Sequence, residues 1–99
     1  MFTLQIEHQV RDFGMWQEAF DRDPLNRAGS GVRSYRIYRP VGRNDYVVLE
    51  LDFETQEAAV MFLARLEEEV WKLETVAPAL AGVPETRILE TVANETVVW

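Results

Sequence analysis

His8 is the only histidine in the 99 residues, and histidine is the side chain whose ordinary pKa lies nearest neutrality. A general base working at physiological pH would start from it. Glu7 precedes it in the chain, and Glu50 stands in a second β-rich run. A carboxylate enclosed beside tyrosines has its pKa raised toward the range useful for proton transfer. His8, Glu7 and Glu50 are therefore the candidate catalytic residues. Gln5, Tyr35, Tyr46 and Trp71 are the candidates for holding a ligand, since the three aromatics pair a flat apolar body with a polar edge and the glutamine adds a donor and an acceptor. Each of these also has a purely structural reading. His8 fits a buried strand-end histidine bonded locally, and Glu50 fits a partner for a basic side chain or for Tyr35 across a strand. Trp71 sits roughly 80–140° from Leu63 and Leu66 on a helical wheel, a place that suits a pocket rim, a dimer contact or packing under residues 77–82. Trp16 shares helical spacing with Phe13 and Phe20, which assigns it to a core.

Other chemistries find no support. The chain has no cysteine, which excludes disulfides, thiolate nucleophiles and Cys-ligated metals. Glu67, Glu68 and Glu69 have no His or Asp at ligand spacing and read as a solvated helix face, so no metal and no cofactor is expected. Arg33, Arg36 and Arg39 recur every third residue and scatter over both faces of a strand, and no glycine-rich loop precedes a helix to cradle phosphate. Seventeen acidic against ten basic residues give a net charge of −7, which opposes nucleic acid and anionic bilayers as partners. No apolar run approaches the ~20 residues of a membrane span, and Met1 to Leu4 lack the features of a signal peptide. A cytoplasmic protein is the expectation. With 47% hydrophobic residues, the chain can bury a core, and its length suits one domain over 1–99.

The elements that must position these residues follow from periodicity. Phe2, Leu4, Ile6, His8 and Val10 alternate with Thr3, Gln5, Glu7 and Gln9, which predicts a half-buried strand over 2–10. Asp12 can cap a helix over 13–22, and Pro24 ends it. Residues 23–31 carry turn chemistry, with Gly29 and Gly31 able to take positive φ. Two β-rich runs, 32–39 and 45–53, flank a Pro-Val-Gly-Arg-Asn break and predict a hairpin. Thr55 can cap a second helix running to about residue 74, its stripe formed by Ala59, Phe62, Leu63, Leu66, Val70 and Leu73. After a small-residue connector, 87–92 reads as a fourth strand. The order β-α-β-β-α-β predicts an α+β, ferredoxin-like fold: a four-stranded antiparallel sheet, first and third strands central, two helices on one face.

Pairing Arg39 with Tyr46 sets Ile37 opposite Val48, Tyr35 opposite Glu50 and Arg33 opposite Asp52. That register gathers Val47, Leu49, Leu51 and Phe53 toward the helices. It leaves Tyr35, Ile37, Tyr46 and Val48 on the helix-free face with Thr3, Gln5, Glu7 and Gln9. An aromatic face without helices calls for a partner, and a second copy of the chain, packed sheet to sheet, is the expected one. Such a homodimer would enclose a cavity lined by these open-face side chains.

Nearly the whole chain then resembles a family, the dimeric α/β-barrel proteins, and in particular the antibiotic-biosynthesis-monooxygenase-like group. The likeness rests on 8–13 leading into Trp16 and Phe20, on 31–39, on 47–53, and on Ala58 and Ala59 with Phe62. It implies a dimeric barrel and a small cofactor-independent enzyme, monooxygenase-like or isomerase/cyclase-like, acting on a small hydrophobic or aromatic molecule. A non-catalytic dimeric ligand-binding or stress-related accessory protein is the other function the family allows. Oxygenases of the group use polar cavity residues such as Asn, Trp, Tyr, Arg or His. Here Asn26, Asn44 and Asn94 fall in predicted loops or the tail, a departure from that pattern.

Overall fold

The computed structural model describes residues 1–72 and 82–98. Strand β1 (Phe2–Gln9) is followed by helix α1 (Phe13–Asp21), the hairpin β2 (Ser34–Tyr38) and β3 (Tyr46–Phe53), helix α2 (Gln56–Arg65), and β4 (Glu85–Glu90). The expected order holds. The sheet runs β2-β3-β1-β4, all pairs antiparallel, with β1 and β3 in the centre. Both predicted caps form: Asp12 accepts from the Met15 amide and Thr55 from the Ala58 amide, removing one orphan donor at each helix start. Gly31 and Gly42 take positive φ, whereas Gly29 does not. Among the described residues no helix is long and apolar enough to cross a membrane.

The core lies between the helices and one face of the sheet. Leu4, Ile6 and Val10 of the first run meet Val47, Leu49, Leu51 and Phe53 there, all essentially buried, with Trp16 from α1 and Ala59 and Phe62 from α2. This face matches the predicted alternation of β1 and β3.

The second helix departs from the reading. Instead of continuing as α-helix toward residue 74, it changes at Leu66–Val70 into a π-helical turn, closed by the Trp71 amide donating to the Leu66 carbonyl at 2.9 Å. A π turn rotates less per residue than an α turn, so Val70 remains buried and Trp71 is swung inward to half-burial. The predicted connector at 77–82 and Leu73 of the stripe lie, Gly82 apart, outside the described residues.

The hairpin register is off by one from the expectation. Ser34 faces Asp52, Tyr35 faces Leu51, Arg36 faces Glu50, Ile37 faces Leu49 and Tyr38 faces Val48. A one-residue slip exchanges the faces of a strand. Tyr35 and Ile37 therefore point to the helix side, and Ser34, Arg36 and Tyr38 to the helix-free side. The observed register wins because it puts Arg36 between two carboxylates and gives Ile37 a place at the edge of the core.

Candidate functional site

The cavity stands on the helix side of the sheet, opposite to the face where it was expected. It measures about 70 Å³ and opens to solvent. Ile6, Leu49 and Leu51 form its floor, Trp16, Ala19 and Phe20 one wall, and Phe62, Leu66, Val70 and Trp71 another. Three polar or charged side chains interrupt this apolar lining: His8, Asp23 and Arg27. The reason is the parity of β1. His8 shares a face with Leu4, Ile6 and Val10, so it must enter the layer where the helices pack.

His8 is buried, 5% exposed. Its Nδ1 lies 3.0 Å from the backbone carbonyl oxygen of Gln9. A carbonyl only accepts, so Nδ1 carries the hydrogen, and Nε2 is left as an acceptor nitrogen that bonds no described residue. Burial pushes the imidazole pKa below its ordinary value, outweighing the opposite effect of the Gln9 carbonyl. The ring is thus neutral at pH 7, the state in which it can take a proton.

Trp16 stacks on Phe20 with centroids 5.2 Å apart, and Phe20 meets the edge of Tyr35 at 5.1 Å. Arg27 closes this row. Its guanidinium carbon stands 3.8 Å above the Phe20 ring and 5.1 Å from that of Tyr35, a cation–π arrangement. Nη1 of Arg27 donates to the Phe20 carbonyl at 2.7 Å and lies 3.5 Å from Asp23. The Asp23 carboxylate also accepts the Arg27 amide at 2.8 Å, from a backbone turned to φ +49°.

The predicted site residues fall into two groups. His8 and Trp71 line the cavity, and Tyr35 adjoins its Phe20–Arg27 rim. Glu7, Glu50, Gln5 and Tyr46 lie together on the helix-free face. There the Tyr46 hydroxyl donates to Glu7 at 3.1 Å, Gln5 Nε2 donates to Glu50 at 3.0 Å, and Arg36 Nε donates to the same carboxylate at 3.0 Å. Asp52 completes that network. Its two oxygens accept from Thr3 at 2.7 Å, Ser34 at 2.6 Å and Arg36 at 2.7 and 3.0 Å. Arg36, and after it the two hydroxyls, hold the Asp52 carboxyl well below the usual carboxylate range. The helix-free face therefore carries polar side chains bonded to one another. Among the described residues no group of three or more His, Asp or Glu is arranged to hold a metal ion.

Arg27, Phe20 and Asp23 were not singled out from the sequence. Asp23-Pro24-Leu25-Asn26-Arg27 reads as turn chemistry, and nothing in its spacing announces that the loop folds an arginine back over the preceding helix. The only available signal was an arginine seven and eight residues from the aromatic positions on either side, Phe20 and Tyr35.

The chain matches no protein-family model and no curated protein at a significant level. It does resemble solved structures. A dimeric ferredoxin-like protein from an uncultured marine organism superposes with a TM-score of 0.65 at 17% identity, covering 95% of this chain and 97% of that one. A proposed antibiotic biosynthesis monooxygenase of Bordetella bronchiseptica gives 0.71 at 15% identity, over 93% and 98%. A monooxygenase of Streptomyces coelicolor in complex with nanaomycin D gives 0.68 at 14%, over 98% and 92%. Identities this low establish shared architecture and leave chemistry to the site. With its β2-β3-β1-β4 sheet and both helices on one side, the chain has the fold of the dimeric ferredoxin-like and antibiotic-biosynthesis-monooxygenase-like proteins.

Proposed function

We propose that this protein is a homodimeric, cofactor-independent enzyme of monooxygenase-like or isomerase/cyclase-like type, cytoplasmic, that binds a small hydrophobic or aromatic molecule on the helix side of its sheet. The observation that carries the reading is the neutral imidazole of His8, its acceptor nitrogen unclaimed by any described side chain, in the wall of an otherwise apolar, tryptophan-lined cavity. A flat ligand lies against Trp16, Phe20 and Trp71. His8 Nε2 takes a proton from an acidic C–H or O–H of the ligand, and the electron pair stays on the ligand. Because burial disfavours the imidazolium, the proton is readily given back: to another carbon of the ligand in an isomerisation, or, in an oxygenation, to the peroxide formed when the carbanion carbon bonds dioxygen, the hydroperoxide then losing water to leave one oxygen on the ligand as a carbonyl. Glu7, Glu50, Gln5 and Tyr46 serve the other face.

That face is the proposed dimer interface. It exposes Tyr38 and Leu89, 47% and 38%, around polar groups that hydrogen-bond one another. Fold neighbours described as dimeric support the same reading.

The test is deuterium exchange at the α-carbon of cyclopentanone, a ring ketone that keeps its α-hydrogens at neutral pH and exchanges them only through a base. The native protein should accelerate the exchange and His8→Gln should not. Equal rates for both would remove His8 as the base. A second reading, a ligand-binding protein without catalysis, is favoured by the burial that lowers the His8 pKa and so weakens the imidazole as a base. It predicts ring binding with no exchange.

A further inference from the structure

The cavity's polar rim says more about its ligand than its apolar wall does. Arg27 is 18% exposed and fixed at several points: over Phe20, beside Tyr35, on the Phe20 carbonyl and near Asp23. All the hydrogen bonds and ion-pair contacts of the guanidinium to described residues use Nη1. The Nε–Nη2 edge bonds none. Those two N–H groups form the fork that matches both oxygens of a carboxylate. A long side chain this firmly held has already lost most of the freedom that binding would cost it. The Asp23 carboxylate, which faces Nη1, is itself tied to the Arg27 amide.

The volume limits the rest of the ligand. About 70 Å³ is small beside the few hundred Å³ of common ligand pockets, which favours a single ring over a fused system.

We propose, resting on the helix-side reading above, that the ligand is a small organic monoacid with one ring or a short unsaturated chain, its carboxylate on the Nε–Nη2 edge of Arg27 and its body against the wall that Trp16, Phe20 and Trp71 form. Arg27 is the residue that selects the anion, and Asp23 positions it.

Titration of tryptophan fluorescence with benzoate, benzyl alcohol and benzylammonium tests this, because the three share a ring and differ in charge. Benzoate should bind at least about tenfold more tightly than the alcohol, and benzylammonium most weakly. Arg27→Gln should bring benzoate to the level of the alcohol measured on the same variant. Arg27→Lys, which keeps charge but not the fork, should retain only part of the preference; circular dichroism of both variants verifies folding. Equal affinity for benzoate and alcohol, or a preference that survives Arg27→Gln, overturns the anion proposal and leaves the apolar site standing. If none of the three rings binds, the helix-side reading falls with it.

Discussion

Replacing Asp52 by alanine should be among the most costly single changes on the helix-free face. The carboxylate is buried, its side chain 12% exposed, and it accepts four hydrogen bonds. The Thr3 and Ser34 hydroxyls each donate to a charged acceptor, worth about 1.5 kcal/mol apiece. The Arg36 fork is discounted to about 0.5 kcal/mol, because its side chain is 41% exposed and water competes for it. Asp52→Ala should therefore lose about 3–4 kcal/mol, a large part of the 5–15 kcal/mol typical of a domain. Urea unfolding at fixed protein concentration measures it, the concentration being held because dimerisation contributes to apparent stability. Acid provides an independent check. A carboxyl whose folded pKa is depressed stabilises the protein above its unfolded value and loses that contribution as pH falls. The native protein should therefore weaken below about pH 4 more steeply than Asp52→Ala. A loss under about 1 kcal/mol, or identical acid profiles, would refute the reasoning. The consequence reaches the cavity, since this network anchors β2 in the register that turns Tyr35 toward Phe20 and Arg27.

Burial lowers the His8 pKa, so below its ordinary 6.5 the unfolded chain binds more protons than the folded one. Stability should fall as pH drops through about 6.5, and His8→Gln should flatten that slope in thermal melts; a native protein that gains stability over this interval contradicts the assignment. Trp71→Ala should cost about 2 kcal/mol, half of a fully buried tryptophan's loss, and should admit two-ring ligands that the native cavity rejects, both read by ligand-dependent melting. Ile37→Asp should cost at least about 2 kcal/mol in urea, whereas Tyr38→Asp should leave the fold intact and shift light scattering toward monomer. Reversed outcomes for that pair would restore the alternative register.

How much the sequence disclosed depended on whether one pattern had one solution. In β1, apolar residues occupy only the even positions from 2 to 10, apart from His8, and the face of His8 followed directly. Asp12 and Thr55 were readable as caps because a side-chain oxygen before a helical stripe has one economical use. In β2 both faces carry an aromatic, Tyr35 on one and Tyr38 on the other. Either register offers a charge pair, Arg33 with Asp52 or Arg36 with Glu50. Local pairing could not choose between them, and tertiary packing of Ile37 did. The choice decided the side of the sheet on which Tyr35 lies. The π turn escaped notice because Leu66 to Val70 is compatible with ordinary helix, and Trp71 enters the cavity only through that turn. Arg27 was hidden for another reason: its role depends on a loop returning over Phe20, a long-range contact with no periodic signature.

The central claim is that ligands enter between the helices and the sheet, not between two sheets. A crystal structure of the protein soaked with benzoate tests it most directly. The account predicts ring density against Trp16, Phe20 and Trp71, the carboxylate on Arg27, and Glu7, Glu50 and Gln5 on the far side of the sheet. Density for benzoate on the helix-free face, beside Tyr46 and Glu50, would contradict it.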